Sequence, residues 1–72
     1  MANNEEKTVK EVLDLVYDAL KEKGYNPIDQ ITGYLASEDP AYITPNRGAR
    51  RMIIRFDRDE YLAELLKSYF DR

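Results

Sequence analysis

The segment from Gly24 to Pro27 joins a signal that ends one helix directly to a signal that begins the next. Glycine readily adopts the left-handed conformation that terminates many helices, so Gly24 predicts the end of a preceding helix. Asn26 can cap the free N–H groups of a following helix, and proline has the φ angle required at the first helical position. The chain is therefore expected to contain two helices joined by a very short link, which makes them neighbours in the fold.

Apolar residues at helical spacing predict the two helices on either side of this junction. Helix 1 is expected over Val9–Lys23 and helix 2 over Pro27–Ser37. Thr8 and Glu11 form a T-x-x-E capping box at the start of helix 1. Gly33 within helix 2 costs about 1 kcal/mol relative to alanine, which indicates the close approach of another helix. One face of helix 1 carries its apolar residues Val9, Val12, Leu13, Val16, Ala19 and Leu20.

A short helical turn and a third helix are expected after helix 2. Asp39 can cap a single turn at Pro40–Tyr42, and Thr44 before Pro45 repeats this combination of a cap and a proline. Helix 3 is then expected over Pro45–Phe56, because its apolar residues fall on one side.

Helix 4 is expected to follow Asp57, which forms a D-x-x-E sequence with Glu60, and to extend to about Phe70. No convincing two-residue alternation of apolar and polar residues is present, so no sheet is expected. The sequence therefore predicts an all-α fold, a compact bundle of four main helices plus one short helical turn.

The length of the chain limits its size and its sources of stability. Its 72 residues correspond to one domain, and we expect a helical domain over residues 8–72 after a flexible N-terminus at residues 1–7. A single core of this size rarely supplies more than about 3–5 kcal/mol, and small domains usually need further support. Because disulfides and thiolate zinc sites are excluded by the lack of cysteine, a homodimer is expected.

Catalysis and cofactor binding are not expected from this composition. Histidine, the commonest metal ligand and general base, is missing from the sequence. No evident acid/base pair of carboxylates, Gly-rich phosphate loop or hydrolase motif is present. The sequence therefore predicts a protein that is not an enzyme and that holds no metal or cofactor.

The charge pattern limits the partners and the location of the protein. A net charge of −3 gives no overall attraction to nucleic acid or to membranes. Apolar runs are only a few residues long, and the first residues lack the basic and apolar regions of a signal peptide. We therefore expect a cytoplasmic protein without membrane insertion.

A basic cluster in this acidic chain consists of Arg47, Arg50, Arg51, Arg55 and Arg58. All of them except Arg50 are spaced three or four residues apart, which predicts a shared helical face. Guanidinium groups suit carboxylates and phosphates, so the cluster is a candidate docking site for an acidic or phosphorylated partner. The alternative is a solvated face balanced by Asp59, Glu60 and Glu64. A DNA-recognition role for helix 3 is a weaker alternative, because the rest of the chain is acidic.

The six tyrosines are many for a chain of this length. Tyrosine is enriched at protein interfaces because one end is apolar and the other tolerates water. Tyr34 and Tyr42 are the expected interface members, while the alternative is that the tyrosines seal the edges of the core.

Thr8 has two interpretations. As a cap it stabilises helix 1 by about 1 kcal/mol. As a phosphorylation site it would place a phosphate at a helix N-terminus, where negative charge is favourable. The cap alone is sufficient to explain a threonine at this position.

The central segment of the sequence resembles one known family. The sequence E-K-G-Y-N-P-I-x-Q-I-x-G-Y-L at residues 22–35 is followed by D-P-A-Y-I at 39–43, A-R at 49–50 and R-D-E at 58–60. This combination resembles the IreB-type regulatory phosphoproteins of Gram-positive bacteria. The resemblance extends over roughly residues 9–70, nearly the whole chain.

The resemblance implies a small, cytosolic, helical homodimer. It implies a substrate of membrane Ser/Thr kinases that sense the cell wall through PASTA domains. It further implies a negative regulator of cell-wall synthesis and cephalosporin resistance, which in relatives works through regulated proteolysis of the first committed enzyme of peptidoglycan precursor synthesis. In relatives, arginines around the Ala-Arg motif matter for regulation, and Arg50 is the matching position.

Three departures from the family pattern are present. Relatives carry a phosphothreonine and nearby phenylalanines in an N-terminal extension, and we expect this segment to be missing or shortened here, with Thr8 near the helix start. Glu38 stands where relatives usually have glycine. Pro45 and Ile54 occupy positions that are arginine in some relatives, so we expect a divergent paralogue with altered regulation.

The sequence thus predicts a non-catalytic regulatory phosphoprotein with Thr8 as the candidate phosphorylation site. The expected partners are a second copy of the chain, a Ser/Thr protein kinase and regulators of proteolysis or cell-wall synthesis. The alternatives are a helical protein-interaction domain without kinase control and, with less support, a nucleic-acid-binding helical domain. The candidate partner-binding residues are Arg47, Arg50, Arg51, Arg55 and Tyr42.

Overall fold

The computed structural model describes residues 7–71, and the regular structure within this range is entirely helical. The all-α fold and the short helical turn are confirmed for these residues. The flexible N-terminus expected at residues 1–7 falls mainly on residues 1–6, which lie outside the described residues. The elements are α1 (Val9–Glu22), α2 (Pro27–Ser37), a first 3₁₀ turn (Pro40–Tyr42), a second 3₁₀ turn (Asn46–Gly48), α3 (Ala49–Ile53) and α4 (Arg58–Phe70).

Local side-chain caps define where α1 and α2 begin. Thr8 Oγ1 accepts a hydrogen bond from Glu11 N at 3.1 Å, and Glu11 Oε1 accepts one from Thr8 N at 2.9 Å, which completes the predicted capping box. At the start of α2, Asn26 Oδ1 accepts from Asp29 N at 3.1 Å. Both helices therefore begin where hydrogen bonds join residues three positions apart, which explains why the sequence alone predicted these two starts.

The end of α1 is set by Gly24, as the sequence predicted. Its φ of 83° places it in the left-handed region, and α1 ends at Glu22, one residue earlier than expected. Gly24 N donates to Lys21 O at 3.0 Å and Tyr25 N donates to Leu20 O at 3.1 Å. These two bonds form a Schellman motif, which satisfies carbonyl groups at the end of the helix.

The core lies along the apolar face of α1, against which α2, α3 and α4 pack. Helix α4 contributes one fully buried side chain to the described core, Tyr61, whose hydroxyl donates to Ile53 O at 2.6 Å. None of the helices within residues 7–71 combines the length and the apolar character needed to cross a membrane. The buried core residues are Val12, Leu13, Val16, Ala19, Leu20, Tyr34, Leu35, Ile43, Ala49, Met52, Ile53 and Tyr61.

The prediction of one continuous helix over residues 45–56 is wrong. Residues 46–48 form a 3₁₀ turn, and α3 comprises only Ala49–Ile53. Arg47 and Gly48 have φ angles of 57° and 72°, which lie outside the helical region. Asn46 Nδ2 holds this turn against α1 by donating to Ala19 O at 3.0 Å, a contact between residues distant in sequence. The helix therefore begins only after Gly48.

The close approach predicted at Gly33 is present, but it is made by a side chain of the first 3₁₀ turn. A Cβ atom at position 33 would overlap the ring of Tyr42. Glycine is therefore favoured in the middle of α2, because any side chain there would have to displace the Tyr42 ring that packs against the backbone.

Candidate partner-docking site

An open cleft of about 470 Å³ lies beside α3 and contains two of the five clustered arginines. It is formed where the first 3₁₀ turn and the second 3₁₀ turn meet the start of α3. The cleft combines cationic and apolar walls, which is an arrangement suited to a protein segment rather than to a single ion. Its lining residues are Pro40, Pro45, Gly48, Arg50, Arg51 and Ile54.

Short-range caps fold the two turns that form the cleft. Asp39 Oδ1 accepts from Ala41 N at 3.0 Å, which supports the first turn immediately after Pro40. Thr44 Oγ1 accepts from Asn46 N at 3.1 Å and supports the second turn. The two cap-plus-proline signals of the sequence therefore place two rigid proline rings on the same cleft.

The side chain of Arg50 is held in place at the cleft wall. Its Nε donates to Ile43 O at 2.8 Å, and Ile43 itself is fully buried. No residue between 7 and 71 accepts a hydrogen bond from the Nη atoms of Arg50. The guanidinium is thus oriented by the protein while two of its nitrogen atoms remain available to a ligand.

Arg51 lies beside Arg50 and borders the same cleft. A Cβ atom at position 48 would lie 3.6 Å from Arg51 Nη2, so the guanidinium lies over the backbone of Gly48. Within the described part of the chain, Arg51 makes no ion pair or side-chain hydrogen bond. The two adjacent arginines therefore bring two positive charges to one place without a carboxylate of residues 7–71 to balance them.

The predicted helical face of Arg47, Arg51, Arg55 and Arg58 is not formed, and this prediction is wrong. Arg47 lies before α3 in a left-handed conformation, Arg55 follows α3 in a turn, and Arg58 begins α4. Because the second 3₁₀ turn, α3, the turn after α3 and α4 each carry one of these four residues, their sequence spacing does not produce one stripe.

Arg47 and Arg58 each lie close to a carboxylate. Arg47 Nη1 lies 3.5 Å from Glu22 Oε2, at the end of α1 and away from the cleft lining. Arg58 Nη1 donates to Leu35 O and Ala36 O at 3.3 Å each, and its Nε lies 3.7 Å from Glu38 Oε2. Arg47 and Arg58 are therefore paired with Glu22 and Glu38, two carboxylates outside α4.

The two tyrosines expected at an interface differ in exposure. Tyr42 is 40% exposed, and its carbonyl oxygen accepts from Gln30 Nε2 at 2.9 Å. Tyr34 is only 6% exposed and belongs to the core, so its assignment to an interface is wrong. Burial, followed by the nearby negative charge of Glu38, raises the pKa of the Tyr34 hydroxyl above its ordinary value.

Thr8 is exposed and lies far from Arg47 along α1. Asn46, next to Arg47, contacts the helix at Ala19, eleven residues after Thr8. At 1.5 Å per residue, this separation is about 16 Å along the helix axis. The structure therefore does not bring Thr8 and Arg47 together within one subunit.

A second exposed feature is the apolar face of α4. This face was not among the predicted sites, although its apolar residues fall at helical spacing in the sequence. The exposed fraction of its side chains ranges from 42% to 73%, so the face is not covered by the rest of residues 7–71. Its members are Leu62, Leu65, Leu66, Tyr69 and Phe70.

The cleft also contains residues that the sequence did not point to as a site. Pro40 was predicted only as part of a helical turn and Ile54 only as a departure from the family pattern, whereas Gly48 was not singled out; the signal in the sequence was their position near the arginines. No group of three acidic side chains suited to a metal ion is found among residues 7–71.

Sequence comparisons show which known proteins the chain is similar to. The sequence profile described as "IreB regulatory phosphoprotein" matches residues 1–71 of the chain. A protein named "UPF0297 protein" from Lachnoclostridium phytofermentans is 57% identical over 63 residues, which cover 88% of this chain and 72% of that protein.

Proposed function

Because the chain belongs to the IreB family of regulatory phosphoproteins, its role is regulatory, and we propose that it works as a non-catalytic cytoplasmic adaptor downstream of a cell-wall-sensing Ser/Thr kinase. Its proposed output is negative regulation of peptidoglycan synthesis and cephalosporin resistance. It would act through contacts with regulators of proteolysis or cell-wall synthesis rather than through a reaction of its own.

The observation that carries this proposal is the pair of arginines at the cleft. Arg50 and Arg51 have no acidic partner within residues 7–71, although the chain as a whole carries a net charge of −3. Structural arginines in this protein do have partners, as the Arg47–Glu22 pair shows. Two adjacent cationic side chains without a carboxylate partner among residues 7–71, next to exposed apolar surface, are the features expected of a protein-docking site.

Thr8 is the proposed phosphorylation site. It is exposed, and it precedes a helix of 14 residues, whose N-terminal end favours negative charge. A phosphate would add about −1.5 to −2 charges and would lie close to the carboxylate of Glu11, which now accepts from Thr8 N. Phosphorylation is therefore proposed to alter the start of α1 and, through that change, the choice of partner.

The protein is also proposed to form a homodimer through the exposed face of α4. The five side chains of this face offer on the order of 500 Å² of apolar surface, which is at the upper end for a patch on a monomer. A stable interface buries about 800 Å² per partner, so this face would supply its apolar centre and neighbouring polar residues its rim.

The proposal is tested by treating the purified chain with a PASTA-domain Ser/Thr kinase and ATP, followed by mapping of the modified residues by mass spectrometry. The expected result is one phosphate on Thr8. Thr8→Asn is the matched control, because asparagine keeps the helix cap but cannot be phosphorylated. If the folded chain is not modified, or is modified equally in Thr8→Asn, the kinase-controlled function is wrong.

A helical interaction domain without kinase control is the second candidate function. It is favoured by the capping box of Thr8 and Glu11, which gives the threonine hydroxyl a structural role without phosphorylation. This candidate predicts that partner binding is the same before and after kinase treatment. A nucleic-acid-binding role has less support, since Arg47 and Arg58 are engaged with carboxylates.

A further inference from the structure

We infer that the cleft lined by Arg50, Arg51 and Ile54 binds a short acidic peptide segment of a partner protein, in which a carboxylate side chain stands next to an apolar one. This inference rests on the proposed adaptor function and deepens it by naming the chemistry of the partner. The cleft, rather than the whole arginine cluster, is the binding site.

The guanidinium of Arg50 is oriented before a ligand binds. Because its Nε is already bonded to Ile43 O at 2.8 Å, the guanidinium loses little further freedom when a ligand binds. Its two Nη atoms then present N–H groups to the cleft in the fork geometry that fits a carboxylate. A preoriented donor of this kind is typical of a recognition site rather than of a solvated surface arginine.

Arg51 extends the same cationic wall. Its guanidinium lies over Gly48, 3.6 Å from the position that a Cβ atom would take. The φ of 72° at Gly48 favours glycine there, so the backbone turn beside Arg51 depends on this residue. Two adjacent guanidinium groups match a segment with more than one acidic residue.

Another part of the cleft wall is apolar. Pro40 and Pro45 are exposed rings with fixed backbone conformation, and Ile54 is 56% exposed. Apolar surface of this kind gains from covering by an apolar side chain, at about 25 cal/mol per Å² of buried area. The ligand is therefore expected to carry an apolar residue beside its carboxylate.

The charge distribution favours an acidic peptide over a phosphate or a nucleic acid. Among residues 7–71 no lysine lines the cleft and the cationic wall consists of two guanidinium groups, which is narrower than the basic footprint typical of nucleic-acid-binding surfaces. A nucleic acid backbone would leave the proline and isoleucine surfaces without an apolar partner. Acidic side chains alternating with apolar ones satisfy both walls at once.

The test is a synthetic array of nine-residue peptides probed with the full chain at about physiological salt. The array contains peptides with acidic and apolar residues in every relative position, acid-only and apolar-only peptides, phosphothreonine versions, and a short duplex DNA. We expect binding to the peptides in which an acidic and an apolar residue are adjacent. The dissociation constant of the strongest peptide is then measured by fluorescence anisotropy.

Variants with matched controls locate the binding site. Arg51→Gln is expected to raise the dissociation constant of the strongest peptide by about tenfold or more, because a charge-assisted hydrogen bond is lost. Lys23→Gln removes the same charge from an exposed site outside the cleft and should leave the affinity within about twofold. Ile54→Ser should weaken binding several-fold, whereas Ile28→Ser, at a residue that is 64% exposed on α2, should not.

Several results would overturn the inference. They are the absence of binding to any peptide of the array, equal binding of acid-only peptides, preference for phosphopeptides or DNA, and equal losses in the cleft variants and their controls. Circular dichroism of each variant establishes that it is folded. The kinase assay on Thr8 is independent, so failure of peptide binding together with phosphorylation of Thr8 rejects the cleft assignment and leaves the regulatory proposal in place.

Discussion

The ring of Tyr42 packs against the backbone of Gly33 so closely that no side chain at position 33 could be accommodated without movement. Gln30 Nε2 strengthens the same junction by donating to Tyr42 O at 2.9 Å. This contact fixes the first 3₁₀ turn to α2, and that turn carries Pro40 at the wall of the cleft. The glycine inside α2 is therefore linked to the geometry of the candidate site.

Gly33→Ala is predicted to destabilise the protein. Alanine gains up to about 1 kcal/mol in helix propensity, but its Cβ would displace the Tyr42 ring, and such overpacking costs about 1–3 kcal/mol. We expect a net loss of up to about 2 kcal/mol in the free energy of unfolding, measured by urea denaturation.

The matched control for this prediction is the same substitution in a Tyr42→Ala background. Without the Tyr42 ring, Gly33→Ala changes only the helix propensity at position 33, so it should stabilise that background by about 1 kcal/mol. Equal effects of Gly33→Ala in both backgrounds would show that the two residues are not coupled.

Glu38→Gly is predicted to stabilise the protein. Glu38 ends α2 with a φ of 60°, a left-handed conformation that costs a residue with a side chain about 1–2 kcal/mol. The ion pair with Arg58, whose atoms lie 3.7 Å apart at the surface, contributes at most about 1 kcal/mol. After the larger backbone entropy of glycine in the unfolded chain is included, we expect a net gain of about 0.5 kcal/mol.

Glu38→Gln separates the two contributions at this position. It keeps the backbone strain and removes the charge, so it should lower the free energy of unfolding slightly, by less than about 1 kcal/mol, and only at low salt. Thermal unfolding of the three proteins at two salt concentrations provides the measurement. A less stable Glu38→Gly variant would mean that the contact with Arg58 outweighs the strain.

The elements that sequence analysis predicted well are those specified by near neighbours in the chain. Thr8, Asn26 and Gly24 define helix ends through bonds to residues within a few positions, so their effect is visible in the sequence. Helix 3 was predicted too long because the turn at residues 46–48 is held by Asn46, which bonds to Ala19 O and Glu22 Oε1 on α1. A contact across 27 residues leaves no local signal.

The candidate site was predicted less completely for the same reason. Spacing alone placed Arg47 and Arg51 on one face, but the left-handed backbone at Arg47 separates them. The apolar residues of α4 also have helical spacing, but this spacing does not show that Tyr61 is the one residue of α4 that is buried in the core. An apolar pattern does not distinguish a face that meets its own core from one that meets a partner.

Tyr61→Phe is predicted to change the pH dependence of stability. Burial, then the nearby Tyr34 and Glu60, raises the pKa of the Tyr61 hydroxyl well above its ordinary value. Above about pH 10 the unfolded chain releases this proton while the folded chain retains it, so the stability of the wild-type protein falls as pH rises. The phenylalanine variant lacks this contribution and should lose less stability between pH 9 and pH 11.

At neutral pH the same substitution should be unfavourable. It leaves Ile53 O without the hydroxyl that now donates to it at 2.6 Å, and loss of a buried hydrogen bond of this kind costs about 1–2 kcal/mol. Urea denaturation at pH 7, 9, 10 and 11 measures both effects. Parallel stability profiles of the two proteins would contradict the assignment of a raised pKa to Tyr61.

Leu66→Ser is predicted to disrupt the proposed homodimer without unfolding the subunit. Leu66 is 57% exposed on α4, so its replacement removes apolar surface from the proposed interface and little from the core. Analytical ultracentrifugation should show the wild-type chain at twice the monomer mass. The dissociation constant of the dimer should be at least tenfold higher for the variant, which then contains more monomer. Ile28→Ser, which replaces an equally exposed apolar residue on α2, is the control and should remain dimeric. A monomeric wild-type chain, or the same shift in Ile28→Ser, would show that α4 is not the interface.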